Sequence, residues 1–382
     1  MGVSIGTGYG GDTKQALAEA LGALDPMVDS ESLQLILVFA SRIYDPYVLA
    51  SYLSDRFFGV PVVGASTSGE LSPAGYTSHS LVVAVFYDMP YRFGVAGIRE
   101  IGGDPRAAGF LTAKRAYQAI TDHGPFATLL LLTDGLSPRQ SEIIHGAFQF
   151  AGADIPIVGG AAADDRTLHQ TFLIMGPHVY HHGVVGVWIE GQTPVGAAIE
   201  HGWESLGDFM RVTSADGSVI EQLDGQPALE RYLQSMGLPL DASHDTRVST
   251  LGIVHPLGIV SSDMPFQVRH VLKEQGTALV CFGDVPRSSL VSVMTATPEQ
   301  LLTSSEHGAR LAMGRAGNPH VAIIFSCVAR AAALGDRVRD EALAIGRGVG
   351  NLPVLGFYTY GEFARLPGRV GFYNGSLVAM VL

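Results

Sequence analysis

Three short runs of almost wholly apolar residues recur along the chain, at 33–39 (LQLILVF), 127–132 (ATLLLL) and 321–325 (VAIIF). Runs of this length without polar alternation fit strands buried on both faces, as in parallel or mixed sheets. A helical pattern follows each run, over 45–58, 137–153 and 335–348. Asp45-Pro46 and Ser137-Pro138 read as an N-cap followed by proline at the first helical position. In the second helix Ile143, Ile144, Ala147 and Phe148 form one apolar face.

After each helix comes a segment with a proline, two aliphatic residues and a glycine. These segments are 61–71 (PVVGASTSGEL), 156–165 (PIVGGAAADD) and 353–363 (PVLGFYTYGEF). A closing strand ends each set, at 80–87, 183–189 and 376–382. A strand and a helix precede each first run: 3–8 with 13–24, 92–98 with 105–120, and 289–296 with 298–314. Self-similarity at this scale predicts a repeat architecture. Each unit reads strand, helix, strand, helix, strand, strand. Its βα crossovers imply parallel pairs with right-handed connections, and its short last link an antiparallel one. The expected fold is therefore α/β, with mixed β-sheets and flanking helices, built from about three repeated β-α-β-α-β-β units in two domains.

The pattern breaks between Trp188 and Leu290. A turn at Gly217, a helix over 228–236, a loop over 237–247 and strands over 251–260 and 277–282 are expected there. This places a first domain at 1–195, with units 1–90 and 91–195. A second domain follows at 196–382, with an inserted module over 196–288 and a third unit over 289–382.

Composition narrows the class. Apolar residues make up 47% and charged residues 16% of 382, which excludes a disordered chain. The formal net charge of −12 leaves no basic footprint for nucleic acid or an anionic membrane surface. No apolar run reaches the roughly 18 residues that cross a bilayer. The first residues lack a signal peptide's basic and apolar regions, and Gly6 stands where a myristoylation signal needs Ser or Thr, so a cytoplasmic location is expected. Cys281 and Cys327 make no metal or disulfide pattern and are read as buried thiols.

The chain resembles the FIST family (F-box and intracellular signal transduction), with both its N and C domains. In the first half the resemblance rests on Val63-Gly64-Ala65-Ser66-Thr67-Ser68-Gly69-Glu70, Ser72-Pro73-x-Gly75-Tyr76, Leu132-Thr133-Asp134-Gly135-Leu136-Ser137 and Gly159-Gly160-Ala161-Ala162-Ala163-Asp164-Asp165. In the second it rests on Val212-Thr213, Leu223-Asp224-Gly225-Gln226-Pro227-Ala228-Leu229, Cys327-x-x-Arg330, Gly356-Phe357-Tyr358-x-Tyr360-Gly361-Glu362 and Asn374. It implies a bacterial-type sensory module that binds a small ligand and signals through a partner such as a histidine kinase or a cyclic-di-GMP enzyme. The Ser72-Pro73-x-Gly75-Tyr76 segment makes the chain similar to stand-alone members that bind haem and sense nitric oxide.

The residues themselves offer several sites. Ligands of open α/β sheets sit beyond the carboxyl ends of strands. Thr67, Gly69 and Glu70, Tyr360, Gly361 and Glu362, and Asp164 with Asp165 end equivalent strands and are candidate ligand contacts. The alternative is a turn whose acid caps a backbone amide. Arg330 could clamp a carboxylate, as could Arg42 at the equivalent place, or it pairs with Glu362 or Glu70 as scaffolding. The ligand expected is a small polar, amino-acid-like metabolite, or haem.

His169, His178, His181 and His182 fall within 14 residues and include candidate haem ligands, with His201 another. His182 also matches His79 and Asn374 at the start of a closing strand, which favours a structural bond. Gly6-x-Gly8-x-x-Gly11 fits a dinucleotide fingerprint, but its strand is short, and Asp29 and Glu31 precede the next strand instead of ending it. A hydrolase or transferase using Cys327 or Ser66 is the rival to the sensor, although no spacing selects a base. The third possibility is a scaffold without ligand.

Overall fold

A computed structural model describes residues 2–25, 32–239, 248–261, 266–350, 352–366 and 369–382. Three six-stranded mixed sheets share one strand order. In the first, Gly2–Gly8, Leu81–Tyr87, Leu33–Ser41 and Val62–Thr67 lie side by side. The second repeats this with Tyr91–Ile98, Val184–Gly191, Phe126–Thr133 and Ile157–Ala161. The third uses Gly196–Glu200, Leu377–Val381, Ala322–Cys327 and Val354–Thr359. In each, the apolar-run strand pairs parallel with the motif strand and antiparallel with the closing strand.

The last two strands of every sheet come from another unit. Leu173–Met175 and His178–Tyr180 of the second unit complete the first sheet. Glu362–Leu366 and Arg369–Tyr373 of the third complete the second. Glu70–Ser72 and Gly75–Thr77 of the first complete the third. The exchange is cyclic. Sequence reading missed these hairpins, because strands of three to five residues carry little periodicity.

Alternation explains the core. Leu35, Leu37 and Phe39, Leu130 and Leu132, and Ile323 and Phe325 point inward and meet in one central cluster. Their neighbours Ile36 and Val38, Leu129 and Leu131, and Ala322 and Ile324 point outward under the helices. At the centre the rings of Phe39 and Phe357 lie 4.6 Å apart. The shared motif glycine has a steric cause. A Cβ on Gly64, Gly159 or Gly356 would stand 1.9–2.5 Å from a carbonyl oxygen of the neighbouring strand (Val38, Leu131, and Ile324 at 2.1 Å).

Several expectations are corrected. The third unit opens with Gly196–Glu200, not with 289–296. Leu290–Thr295 belongs to the inserted module, where it pairs with Glu204–Asp216. The chain thus leaves the third unit after one strand and returns at Thr297, which caps the helix Pro298–Arg315 with a capping box. An apolar strand before a proline-led helix looks alike in either sheet, so only pairing separates them. Over 251–260 the chain is part helix, Val248–Val254, and part strand, Leu257–Val260, broken at Pro256. The expected loop over 237–247 lies largely outside the described residues. Ser137 caps no helix: the helix Gln140–Ala151 begins three residues later, and the Ser137 hydroxyl donates to Asp134 at 3.1 Å. By contrast the Asp45 carboxylate accepts from the Tyr47 amide at 2.8 Å, as expected.

The Gly6–Gly11 segment packs a helix rather than a phosphate. A Cβ on Gly6 would stand 1.8 Å from the Ala20 carbonyl oxygen, and one on Gly8 1.9 Å from that of Ala16. Asp29 and Glu31 lie outside the described residues. The inserted module is a separate antiparallel sheet of short strands against the helices Ala228–Ser235 and Val248–Val254, with its own apolar cluster around Val212, Tyr232 and Val291.

Candidate functional site

The motif strands converge at their carboxyl ends, where backbone bonds close them into a ring. Ala163 N donates to Ser66 O at 2.9 Å and Asp165 N to Thr67 O at 3.2 Å. Ala161 N donates to Gly361 O at 2.8 Å and Tyr360 N to Ala161 O at 3.1 Å. Ser68 N donates to Tyr358 O at 3.0 Å and Tyr358 N to Gly69 O at 2.9 Å. The sequence-picked tips are therefore together, but most of their side chains turn inward.

Glu70 is fully buried and accepts from the Thr67 hydroxyl, from the Ser80 amide at 3.2 Å and from the Ser80 hydroxyl at 2.5 Å. Glu362 repeats this with the Thr359 hydroxyl at 2.5 Å, the Ser376 amide at 3.2 Å and its hydroxyl at 2.6 Å. Burial raises the Glu70 carboxyl to about 8, against the pull of the Ser80 and Thr67 bonds, and that of Glu362 to about 7. Both acids tie the motif turn to the start of the closing strand. In the second unit Ala162 and Gly183 replace the hydroxyl residues, and Asp134 takes over, accepting from Thr171, Ser137 and His182.

Arg330 is likewise turned inward. Its Nη2 lies 2.8 Å from the Glu341 carboxylate with both side chains fully buried. It also donates to Ser304, Ser305 and the carbonyls of Leu301 and His201, which engages its donors within the protein. The scaffolding alternative describes it, with Glu341 as the partner instead of Glu70 or Glu362. Arg42 is exposed and donates to the Thr167 hydroxyl at 2.8 Å.

Above the ring lies a cleft with two chambers that share Arg166, Val328 and Ala332. The larger, about 440 Å³, is mostly apolar and is walled by the third unit (Cys327, Ala329, Tyr360) and by the inserted module (Ser249, Ile253, Val271, Phe282). The second, about 410 Å³, is lined by Ser68, Tyr76, His79 and Asp165 of the motif turns and by Ala331. Of the sequence-picked ligand contacts, Tyr360 lines the first chamber and Asp165 the second. Thr67, Gly69, Glu70, Asp164, Arg330, Gly361 and Glu362 line neither.

Two residues that line the larger chamber each keep a buried polar atom with no partner among the described residues: His270 Nε2 and Asn374 Oδ1. Orphaned buried acceptors are costly and rare in folded proteins. His270 Nδ1 lies 2.9 Å from Gly252 O, so that nitrogen donates and Nε2 keeps its lone pair. Burial holds the His270 ring near 4, hence neutral. A Cβ on Gly375 would lie 2.8 Å from both His270 Nε2 and Trp203 Nε1, so only glycine packs against these two rings.

Asp164 builds the outer wall. Its carboxylate accepts from the Tyr360 hydroxyl, the Thr167 hydroxyl at 2.7 Å and the amides of Leu168, His169 and Gln170 at 2.9, 2.6 and 2.8 Å. Burial pushes its carboxyl up, but these bonds outweigh it and hold the group below the usual range. The loop so fixed carries Asp165, Arg166 and Leu168 in the left-handed region, at φ 55, 64 and 51°. Strained non-glycine residues of this kind gather at binding sites.

Cys327 reaches the larger chamber, but burial raises its thiol well above the usual range, and the thiol donates to Glu362. Ser66 is fully buried and accepts from the Phe172 amide at 2.9 Å. Ser66 has no base in reach among the described residues, and the one acid beside Cys327, Glu362, is already held by the Thr359 and Ser376 hydroxyls. None of the histidines picked from the sequence fits a haem site. His181 has Nδ1 3.0 Å from Thr171 O and Nε2 3.3 Å from the Tyr47 hydroxyl. The His182 side chain is 73% exposed and holds Asp134 at 3.0 Å. His201 accepts the Trp203 amide on a separate open groove. Among the described residues no group of three His, Cys, Asp or Glu is placed to hold a metal ion, and no helix is long and apolar enough to cross a membrane.

Sequence reading missed His270, Arg166 and Lys273, and it used Asn374 only as a repeat position. His270 falls in the inserted module, where no second copy exists to compare it with.

An uncharacterised protein of Methanocaldococcus jannaschii is 25% identical over 260 residues, 64% of this chain and 50% of its own length. An uncharacterised protein of Mycobacterium tuberculosis is 28% identical over 254 residues, 63% of this chain and 64% of its own. The chain thus spans between half and two thirds of these relatives. Among solved structures, a chorismatase covers all of this chain at 11% identity and a cyanuric acid hydrolase from A. caulinodans at 10%, each with a TM-score of 0.37, too low to bear on fold or activity. A FIST N domain matches residues 34–226 and a FIST C domain residues 228–365. With two domains side by side over most of its length, the chain belongs to the FIST family of signal-transduction sensor domains.

Proposed function

We propose that this protein is a non-catalytic sensor module whose small ligand occupies the cleft above the three strand tips. One observation carries this reading: an apolar chamber opens above the strand tips between the third unit and the inserted module, and two residues of its lining, His270 and Asn374, each keep a buried acceptor without a donor among the described residues. A chamber of about 440 Å³ is of the size that encloses small ligands. Its apolar lining calls for a more apolar ligand than the amino-acid-like metabolite expected from the motif tips.

The signalling step follows from where the cleft lies. One wall is the repeated body and the other the inserted module, so a bound ligand touches both. A ligand shifts a pose only by binding one pose more tightly. The partner that reads the shift is a signalling protein such as a histidine kinase or a cyclic-di-GMP enzyme, and the setting is cytoplasmic.

A thermal-shift screen of small metabolites against the wild type and Asn374→Leu tests the reading. Compounds that raise the wild-type melting temperature and not that of the variant are expected. A screen without any such compound would overturn it, as would a stoichiometric Soret band on haemin addition.

A further inference from the structure

Two chain crossings join the inserted module to the repeated body, one over 201–203 and one at Ala296 and Thr297. The two lie against each other. A Cβ on Gly202, at φ 78°, would stand 2.7 Å from Ser304 Oγ and 2.8 Å from Gln300 O. One apolar cluster closes over them. Trp203, Val268 and Met294 enter it from the module, and Leu301, Leu302 and Ala344 from the body. The Trp203 ring is fixed there by its Nε1, which donates to Gly375 O at 2.8 Å.

The helix Val328–Leu334 touches both this junction and the cleft. At about 100° per residue, Val328, Ala329, Ala331 and Ala332 share one side of it, and Arg330 and Leu334 the other. The first four line the chambers. Leu334 belongs to the junction cluster. Arg330 reaches both crossings at once. Its Nη1 donates to the carbonyl of His201, in the outgoing crossing, at 2.6 Å. Its Nη2 donates to the carbonyl of Leu301 at 2.8 Å, one turn into the helix that follows the returning crossing. Glu341, on the helix Val338–Val349, holds the same guanidinium at 2.8 Å. A rigid planar fork serves several directions in this way, whereas an ammonium is a point charge.

We infer that the helix Val328–Leu334 transmits occupancy of the cleft to the inserted module, with Arg330 as the pin that couples it to both crossings. An occupant pressed against Val328, Ala329 and Ala332 displaces the helix toward the junction on its far side. Interiors are close-packed, so the displacement passes on to Leu334 and Trp203 instead of closing a void. Arg330 carries the His201 and Leu301 carbonyls with it, and the two crossings move together. Arg330 is thus a positioning residue: it acts through the crossings, from the side of the helix that faces away from the cleft. This assignment rests on the sensor reading and names the coupling between that site and the pose of the module.

Hydrogen exchange read by mass spectrometry tests it, with a covalent stand-in for the occupant. Ala332→Cys alkylated by N-ethylmaleimide fills the cleft from its wall, while Cys281 and Cys327 are buried thiols that react more slowly. Relative to unalkylated Ala332→Cys, the adduct should change amide exchange over 201–204 and 299–302 by about threefold or more. The same adduct on Ser51→Cys, at an exposed position outside the cleft, should not. With Arg330→Lys added to Ala332→Cys, exchange over 328–334 should still respond to the adduct while the crossings should not. Leu334→Ala, which removes the apolar half of the same contact, should blunt the response likewise and stands in if Arg330→Lys does not fold. No change at the crossings with Arg330 and Leu334 present, or an equal change with either variant, would overturn the inference. That result would leave the sensor reading standing, since the sensor reading falls on the compound screen and not on this adduct.

Discussion

Arg330 and Glu341 meet 2.8 Å apart with neither side chain reaching solvent. Ser305, Ser326 and Tyr358 also donate to that carboxylate, at 2.8, 3.1 and 2.5 Å. Removing one partner of such a pair strands the other charge. Arg330→Met or Glu341→Gln should therefore cost about 3–5 kcal/mol in chemical denaturation. A variant of unchanged stability that only lost ligand would return Arg330 to the role of a clamp.

Glu70 and Glu362 make stability fall as pH rises. Their folded values, about 8 and about 7, lie above the ordinary 4.5. Below 4.5 both states hold the proton, and this contribution is fully present. Between 4.5 and the folded value, about 8 for Glu70 and about 7 for Glu362, the unfolded chain has released the proton while the fold keeps it, so each group removes about 1.4 kcal/mol per pH unit within its own window. Glu70→Gln stays neutral, and its denaturation midpoint should exceed that of the wild type at pH 8 but not at pH 4. Parallel pH profiles would contradict a buried, protonated Glu70.

Asn374→Leu separates binding from folding. The unliganded protein loses the bond from Nδ2 to Tyr373 O at 3.1 Å but also loses an orphaned acceptor. Its stability should change by no more than about 1 kcal/mol by urea titration. A loss of about 3 kcal/mol would make Asn374 a structural residue.

The exchanged hairpins make the two halves interdependent. A fragment of residues 1–195 lacks the strands Glu362–Leu366 and Arg369–Tyr373 that finish its second sheet, and its own Glu70–Ser72 strand has no third sheet to join. Neither that fragment nor 196–382 should melt cooperatively alone. Co-expressed, they should purify together on a single tag and melt as one. Two independently folding fragments would show that the hairpins add little.

Much of this was legible in the sequence, and the remainder has physical reasons for being hidden. Apolar runs and the motif glycine exposed the repeat, because burial on two faces and a close carbonyl leave little choice of residue. Partner choice is non-local, so the hairpin exchange and the true opening strand Gly196–Glu200 were not. Thr67, Glu70 and Ser80 recur as Thr359, Glu362 and Ser376, but only the neighbouring hairpin decides that these groups face inward. The cleft was hidden because half its wall belongs to a module with no repeat.

The ring of backbone bonds joining the three strand tips restricts how a message can leave this molecule. Sliding one unit past another would unzip main-chain ladders on two sides at once, so the trio behaves as a stator. Displacement is left to the inserted module, which is tethered at only two crossings, near His201 and Thr297, and seated by ring contacts such as Phe282 on Tyr360 at 6.1 Å.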